Sequence, residues 1–187
     1  MSGLEQNFRK IKEHGYNMCS KKTIEAYIGL GSNSGDSENI LANARKQLSQ
    51  LPKIAIIDSS RLYVTEPQGM KAQKWFVNQV VRLECVSDAN PHQLLAQLQE
   101  IETKLGRVRD PCQRFGPRTI DLDLLLFGNC ICSDSNLVLP HPRIKERAFV
   151  LVPLQELAPG FILPCGYSVE SALSKLDFHL DGTKIYQ

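Results

Sequence analysis

Apolar residues recur along this chain with two alternating periods, and their order predicts the fold. A short apolar run over residues 25–30 ends in Gly31-Ser32-Asn33-Ser34-Gly35-Asp36 and reads as a first strand followed by a turn and helix N-cap. Ile40, Leu41, Ala44, Leu48 and Leu51 follow at helical spacing, and Pro52 closes that helix. Residues 54–65 alternate (Ile54, Ile56, Ser60, Leu62, Val64) as a second strand, which Glu66-Pro67-Gln68-Gly69 breaks. Residues 75–85 alternate again, with Trp75, Val77, Val81, Leu83 and Cys85 on one face and Phe76, Asn78 and Val80 on the other. Asn90-Pro91 then supplies an N-cap with proline at the first helical position, and Leu94, Leu95, Leu98, Ile101 and Leu105 form an apolar stripe ending at Gly106. Residues 120–127 make a fourth strand. The order βαββαβ predicts an α+β fold, a ferredoxin-like antiparallel sheet with helices on both faces in three αβα layers. Residues 131–139 are expected to add an edge strand, and residues 148–157 a helix that covers the remaining sheet face.

The chemistry concentrates in residues 106–128, GRVRDPCQRFGPRTIDLDLLLFG. Arg107, Arg109, Arg114 and Arg118 crowd a loop punctuated by glycine and proline, and Gly116-Pro117 forms a rigid corner before the fourth strand. On that strand Asp121 and Asp123 share one face, their Cα atoms about 6.6 Å apart, while Ile120, Leu122, Leu124 and Leu126 take the other. Two neighbouring carboxylates on an apolar strand repel and are costly to desolvate unless cations sit between them. Oxygen-only ligands without nearby His or Cys point to Mg²⁺. The planar forks of the arginines match phosphate geometry, so metal and arginines together describe a site for a polyphosphate. A D-x-D on a strand alone is common, and arginines in loops are usually solvated; the combination carries the reading.

Composition narrows the setting. A chain of 187 residues points to one domain, over residues 25–187, preceded by an extension over residues 1–24 that carries Arg9, Lys10, Lys12, Lys21 and Lys22 with little apolar periodicity and is expected to be flexible. The net charge of +2 argues against a general polyanion-binding surface, so nucleic acid is not an expected partner. No apolar run approaches the ~20 residues of a membrane span, and the N-terminus lacks a signal peptide's apolar core, so a cytoplasmic protein without membrane contact is expected. The 6 cysteines show no framework spacing, which fits reduced thiols. Cys130-x-Cys132 suggests a soft metal, but neither a second pair nor a His follows at ligand spacing, and both are read as strand residues. Gly29-x-Gly31 has the spacing of a dinucleotide loop, yet Asp36 and Glu38 at the following helix start would repel phosphate, and no P-loop lysine motif exists.

The run from Arg114 to Leu125, RFGPRTIDLDLL, is similar to the signature of the 6-hydroxymethyl-7,8-dihydropterin pyrophosphokinase family, and AYIGLGSN, YVTEP, FVNQVV, IETKLGRVR and PHPRIKERAFVLVPL extend the resemblance in the family's order from about Ala26 to Pro164. Phe115 stands where tryptophan is familiar in that family. The resemblance implies ATP-dependent diphosphoryl transfer to the hydroxymethyl group of 6-hydroxymethyl-7,8-dihydropterin, releasing AMP, by a monomer. It also implies that Asp121 and Asp123 hold two Mg²⁺ ions, and that Arg107 and Arg118 stabilise the transferring group. Arg109, His141 and Arg147 match triphosphate contacts, Gln99, Glu102, Leu124 and Val138 match positions lining the nucleotide site, and Phe115 covers it. Phe76 and Phe149 match an aromatic pair that sandwiches the pterin, where stacking is worth on the order of 1 kcal/mol beyond burial. Asn78, with both a donor and an acceptor, faces the pterin's amide-like edge, and Thr65 and Gln68 supply loop contacts. Residues 65–74 and 106–117 are expected to act as lids.

Two other classes compete. An RNA-binding module would need clustered aromatics on the central strands, which are missing. A regulatory ligand-binding domain leaves the Asp pair and the arginines without work. An ordinary ATP-dependent kinase differs in releasing ADP.

Overall fold

Alternating side chains commit five segments to one sheet, and the computed structural model, which describes residues 23–68, 72–108 and 116–187, has them as β1 (Thr23–Ser32), β2 (Ile54–Ser59), β3 (Tyr63–Thr65), β4 (Phe76–Val86) and β5 (Asp121–Phe127). Helix α1 (Ser37–Leu48) connects β1 to β2, and α2 (Pro91–Lys104) connects β4 to β5. The helix starts follow from their caps: Asp36 accepts from the Asn39 amide at 3.3 Å, and Asn90 accepts from the His92 and Gln93 amides at 2.8 and 3.3 Å, with Pro91 in the first turn. The strand order is β5-β1-β4-β3, extended beyond β3 by two short C-terminal strands, with β2 also beside β4; β1 pairs antiparallel with both β4 and β5.

Helices cover both faces. Leu41, Ala44 and Leu48 of α1 and Leu94, Leu98 and Ile101 of α2 pack with Ile28, Leu30, Val81, Leu83, Leu122 and Leu124 of the sheet. On the opposite face α3 (Ala148–Leu157) and α4 (Val169–Leu173) bury Leu151, Leu154, Val169 and Ala172 with Tyr27, Val80 and Leu125. The helix expected over residues 148–157 is thus where the second sheet face needs it. No helix among the described residues is long and apolar enough to cross a membrane.

Four details depart from the period read along the chain. The second strand is two, because the chain leaves the ladder after Ser59 and re-enters at Tyr63; Ser60 bridges the gap, its amide donating to the Val80 carbonyl at 2.9 Å and its hydroxyl accepting from the Val80 amide at 3.1 Å. Leu126 does not share a face with Leu122 and Leu124. The register jumps from Tyr27–Leu126 to Ile28–Leu124, so a bulge at Leu125 resets the alternation, and Leu125 and Leu126 both pack on the α3 side. Residues 131–139 form no edge strand of the main sheet; β6 (Cys132–Ser133) and β7 (Val138–Leu139) are a separate two-stranded hairpin, its loop closed by Asp134 Oδ1 accepting from the Asn136 and Leu137 amides at 2.8 and 2.9 Å. The C-terminal β8 (His179–Asp181) and β9 (Lys184–Tyr186) are too short to show a period, yet β9 lies parallel to β3 and widens the sheet. The extension over residues 1–22 lies outside the described residues.

Ile185, fully buried with Tyr63 and Ala148, anchors that last strand. Ile185→Ala is expected to destabilise the chain by about 2–5 kcal/mol, measured by urea unfolding; a change under about 0.5 kcal/mol would show that β9 contributes nothing to the core.

Candidate active site

The site is built on the sheet face that carries α3, where Asp121 and Asp123 of β5 pair with Gly31 and Gly29 of β1. Gly31 also pairs with Asn78 of β4 and Gly29 with Val80, so the two glycines lie between the carboxylates and β4. A Cβ at Gly31 would sit 2.7 Å from Asn78 Oδ1, closer than packed atoms allow. The gap left by these missing side chains is the floor of a cleft of about 800 Å³, lined also by Thr65, Gln68, Phe76, Asn78, Arg118, Asp121, Asp123, Arg143, Arg147 and Phe149. All five residues that the family resemblance assigned to the pterin therefore meet here with both aspartates and three arginines.

The carboxylates are half-buried and each faces at least one arginine. Arg107 donates to Asp121 Oδ1 and Arg118 to Asp121 Oδ2, while Arg147 donates to Asp123 Oδ2 at 2.8 Å and His141 Nε2 stands 3.8 Å from the same oxygen. Beneath them Glu102, 2% exposed, accepts from Arg107 and from the Leu122 amide at 2.8 Å. Burial disfavours the Arg107 charge, but Asp121 and Glu102 outweigh it and raise its pKa. His141 is held below its ordinary value, first by burial and then by Arg147 and Arg143, with Asp123 pulling the other way. Its Nδ1 accepts from the Arg143 amide at 3.2 Å, which leaves Nε2 to carry the proton toward Asp123.

Asn33 is a site residue that the sequence reading passed over as part of a turn. It is 3% exposed; its Oδ1 accepts from the Arg118 amide at 2.7 Å, its own amide donates to the Arg118 carbonyl at 3.1 Å, and its Nδ2 donates to Gln73 Oε1 and the Lys74 carbonyl at 3.0 and 3.1 Å. One side chain thus ties the end of β1 to the Gly-Pro-Arg corner and to the loop before β4. Burial of a polar residue in a Gly/Ser-rich turn leaves no mark in the sequence. Gly29 and Gly31 stand out in the sequence only for their dinucleotide-like spacing; in the fold Gly31 leaves room for Asn78 and Gly29 lies against Leu125. Asn78 Nδ2 donates to Thr65 Oγ1 at 2.6 Å, which sets the orientation of its amide.

A second cleft of about 570 Å³ opens beyond β5, lined by Leu124, Val138 and His141 together with Leu95, Leu137 and Pro142. Asp123 lines both clefts. Gln99 and Glu102 line neither: Gln99 is exposed on α2, and Glu102 is buried under Arg107. Arg109, Arg114 and Phe115 lie outside the described residues, as do residues 69–71 and 109–115 of the two expected lids.

The donor set fits a hard divalent cation. Asp121 and Asp123 are oxygen donors on one strand face, their side chains 22% and 33% exposed, above glycines that leave room for further oxygen ligands. Arg147 Nε is buried with no hydrogen-bond partner among the described residues, an unmet donor at the wall of the same cleft.

A family model described as 7,8-dihydro-6-hydroxymethylpterin-pyrophosphokinase matches residues 27–159. The chain is 46% identical over 152 residues to a 2-amino-4-hydroxy-6-hydroxymethyldihydropteridine pyrophosphokinase of Methylorubrum extorquens, covering 81% of this chain and 93% of that protein. It is 44% identical over 132 residues to the protein of the same name from Bacillus subtilis, covering 71% and 77%. Among solved structures, wild-type Plasmodium falciparum HPPK-DHPS superposes with a TM-score of 0.62 at 14% identity, over 82% of this chain and 45% of that longer one, a likeness of fold. With more than half its length matched by the family model and its bacterial relatives covered over most of theirs, the chain belongs to the 7,8-dihydro-6-hydroxymethylpterin-pyrophosphokinase family.

Proposed function

We propose that this chain, a pyrophosphokinase of folate biosynthesis by its family, moves the diphosphoryl group of ATP onto the hydroxymethyl oxygen of 6-hydroxymethyl-7,8-dihydropterin and releases AMP. The observation that carries the reading is the meeting of Thr65, Gln68, Phe76, Asn78 and Phe149 with Asp121, Asp123, Arg118 and Arg147 around one cleft, with Asp123 shared by a second. We read the frame from β1 to β5, with its order β5-β1-β4-β3, as ferredoxin-like, and the protein as a cytoplasmic monomer acting on two small molecules.

The pterin would lie between Phe76 and Phe149, its amide-like edge against Asn78. ATP would occupy the second cleft, its base toward Leu124 and Val138 and its phosphates toward His141, Arg147 and Asp123. Asp121 and Asp123 would hold Mg²⁺, which supplies charge neutralisation on the phosphates and lowers the acidity barrier of the hydroxyl. The hydroxyl proton passes to Asp121 or Asp123 as the oxygen bonds to the β-phosphorus and the bond to the AMP oxygen breaks. Arg107 and Arg118, now paired with Asp121, turn to the charge that develops on the transferring group. Arg147 Nε, buried with no hydrogen-bond partner among the described residues, would donate to the same anion. Glu102 acts from below, holding Arg107 and the start of β5 in place. Positioning and charge stabilisation carry the rate.

Incubation with MgATP, with and without the pterin, is expected to yield AMP only when the pterin is present, read by nucleotide chromatography. Asp123→Ala should lower turnover by at least about 100-fold. ADP in place of AMP would mean an ordinary kinase. Gly31→Ala, by pushing against Asn78, is expected to weaken pterin binding by about 1–3 kcal/mol with nucleotide affinity little changed; equal losses for both ligands would show that Asn78 does not read the pterin. Glu102→Ala leaves the Leu122 amide without its buried acceptor and Arg107 with one carboxylate fewer, and should lower stability by about 1–3 kcal/mol in chemical denaturation; an unaltered unfolding midpoint would contradict its supporting role.

A further inference from the structure

The Cys130-x-Cys132 pair takes no part in the reaction, and no His stands near it in sequence. The fold supplies one. The first turn of α2 meets the β6–β7 hairpin, where His92 Nε2 lies 2.8 Å from Asp134 Oδ2 and Cys132 Sγ lies 3.2 Å from the same oxygen. The three ligand atoms all fall within 4.8 Å of one another. We propose that His92, Cys132 and Asp134 form a binding site for a thiophilic divalent cation of the Zn²⁺ type, separate from the Asp121–Asp123 pair.

The donor set selects the metal. An imidazole nitrogen and a thiolate sulfur are poor ligands for Mg²⁺ and good ones for zinc, and a water would complete a tetrahedron. Zinc with bonds of about 2.0–2.3 Å keeps its ligand atoms about 3.3–3.8 Å apart. The present contacts of 2.8 and 3.2 Å are hydrogen bonds converging on one oxygen, and they open to that spacing by less than about 1 Å. Asp134 is already aimed: its Oδ1 is held by the Asn136 and Leu137 amides, so Oδ2 is the oxygen left for a ligand. His92 is fixed at its backbone by the Asn90 cap. The side chains of His92 and Asp134 are 47% and 43% exposed, so an ion reaches them directly. The proton balance closes: the thiol gives up its S–H proton to solvent, and the imidazole proton moves to Nδ1, freeing Nε2 for the metal. Cys130 and Cys132 both pack against the core, and it is Cys132 whose sulfur reaches Asp134.

The position gives the site a role. Asp134 also lines the second cleft, beside Asn136 and Val138. A bound ion would staple α2 to the hairpin that walls this cleft, and so stiffen one side of the proposed nucleotide pocket.

The full chain, free of nucleotide and Mg²⁺, should be titrated with Co²⁺ as a spectroscopic stand-in and then with Zn²⁺. A thiolate-to-cobalt charge-transfer band saturating at one equivalent and displaced by Zn²⁺ is expected. Cys132→Ser should abolish the band, His92→Ala should weaken binding more than about tenfold, and Cys165→Ser, which removes an exposed thiol elsewhere, should leave it unchanged. Far-UV circular dichroism checks that each variant folds. The proposal is overturned if no band appears, if it survives Cys132→Ser, or if His92→Ala binds as the parent does. Because neither ATP nor pterin is present, these outcomes do not depend on the reaction proposed above.

Discussion

Two carboxylates held side by side on a mostly apolar strand are the constraint from which the rest of this molecule follows. Asp121 and Asp123 cannot be half-buried as neighbouring anions without compensation, and three arginines supply it, with the His141 imidazole beside Asp123. Each cation needs its own support. Glu102 holds Arg107 from α2, Asn33 fixes the backbone of Arg118 from the end of β1, and Arg147 caps into α3 with its guanidinium 5.5 Å from the Phe149 ring. The carboxylates thereby gather α2, the β1 turn and α3 around one point.

The second requirement is space. On β1 the face toward the carboxylates carries Gly29 and Gly31, while the opposite face carries Ile28 and Leu30 in the core. The sheet is thus thick where it must pack against α1 and α2 and thin where a flat ring could lie. The bulge at Leu125 belongs to the same solution. It turns both Leu125 and Leu126 toward α3, and so ends the open floor with a hydrophobic wall immediately beyond Asp123. Asp123 consequently borders the first cleft on one side and the second cleft on the other.

Much of this was legible along the chain because it is local. Period two and period three-point-six place the central strands and the first two helices, apolar content places the third, the caps at Asp36 and Asn90 mark where helices start, and the Asp121–Asp123 spacing puts both carboxylates on one face. The five pterin-side residues came from family resemblance, and they do line one cleft. What failed, failed where a non-local contact decides. Strand 54–65 splits because Ser60 satisfies Val80 from outside the ladder, and Leu126 changes face because β5 must match β1. Residues 132–139 fold back on themselves because Asp134 closes their loop.

The sequence by itself determined the α+β frame, the anionic strand, the cationic loop beside it and the family signature, since each is written in neighbouring residues whose spacing the backbone geometry makes meaningful. Only the tertiary structure decided which cation pairs with which carboxylate, that Glu102 lies under Arg107 rather than in a cleft, that the two glycines shape the floor while Asn33 ties β1 to the Arg118 corner, and that His92 meets Cys132 and Asp134. The physical reason is common to all four. Spacing along a strand or helix sets the direction of a side chain, but its partner is set by register and packing between segments distant in the chain, and those are properties of the folded whole.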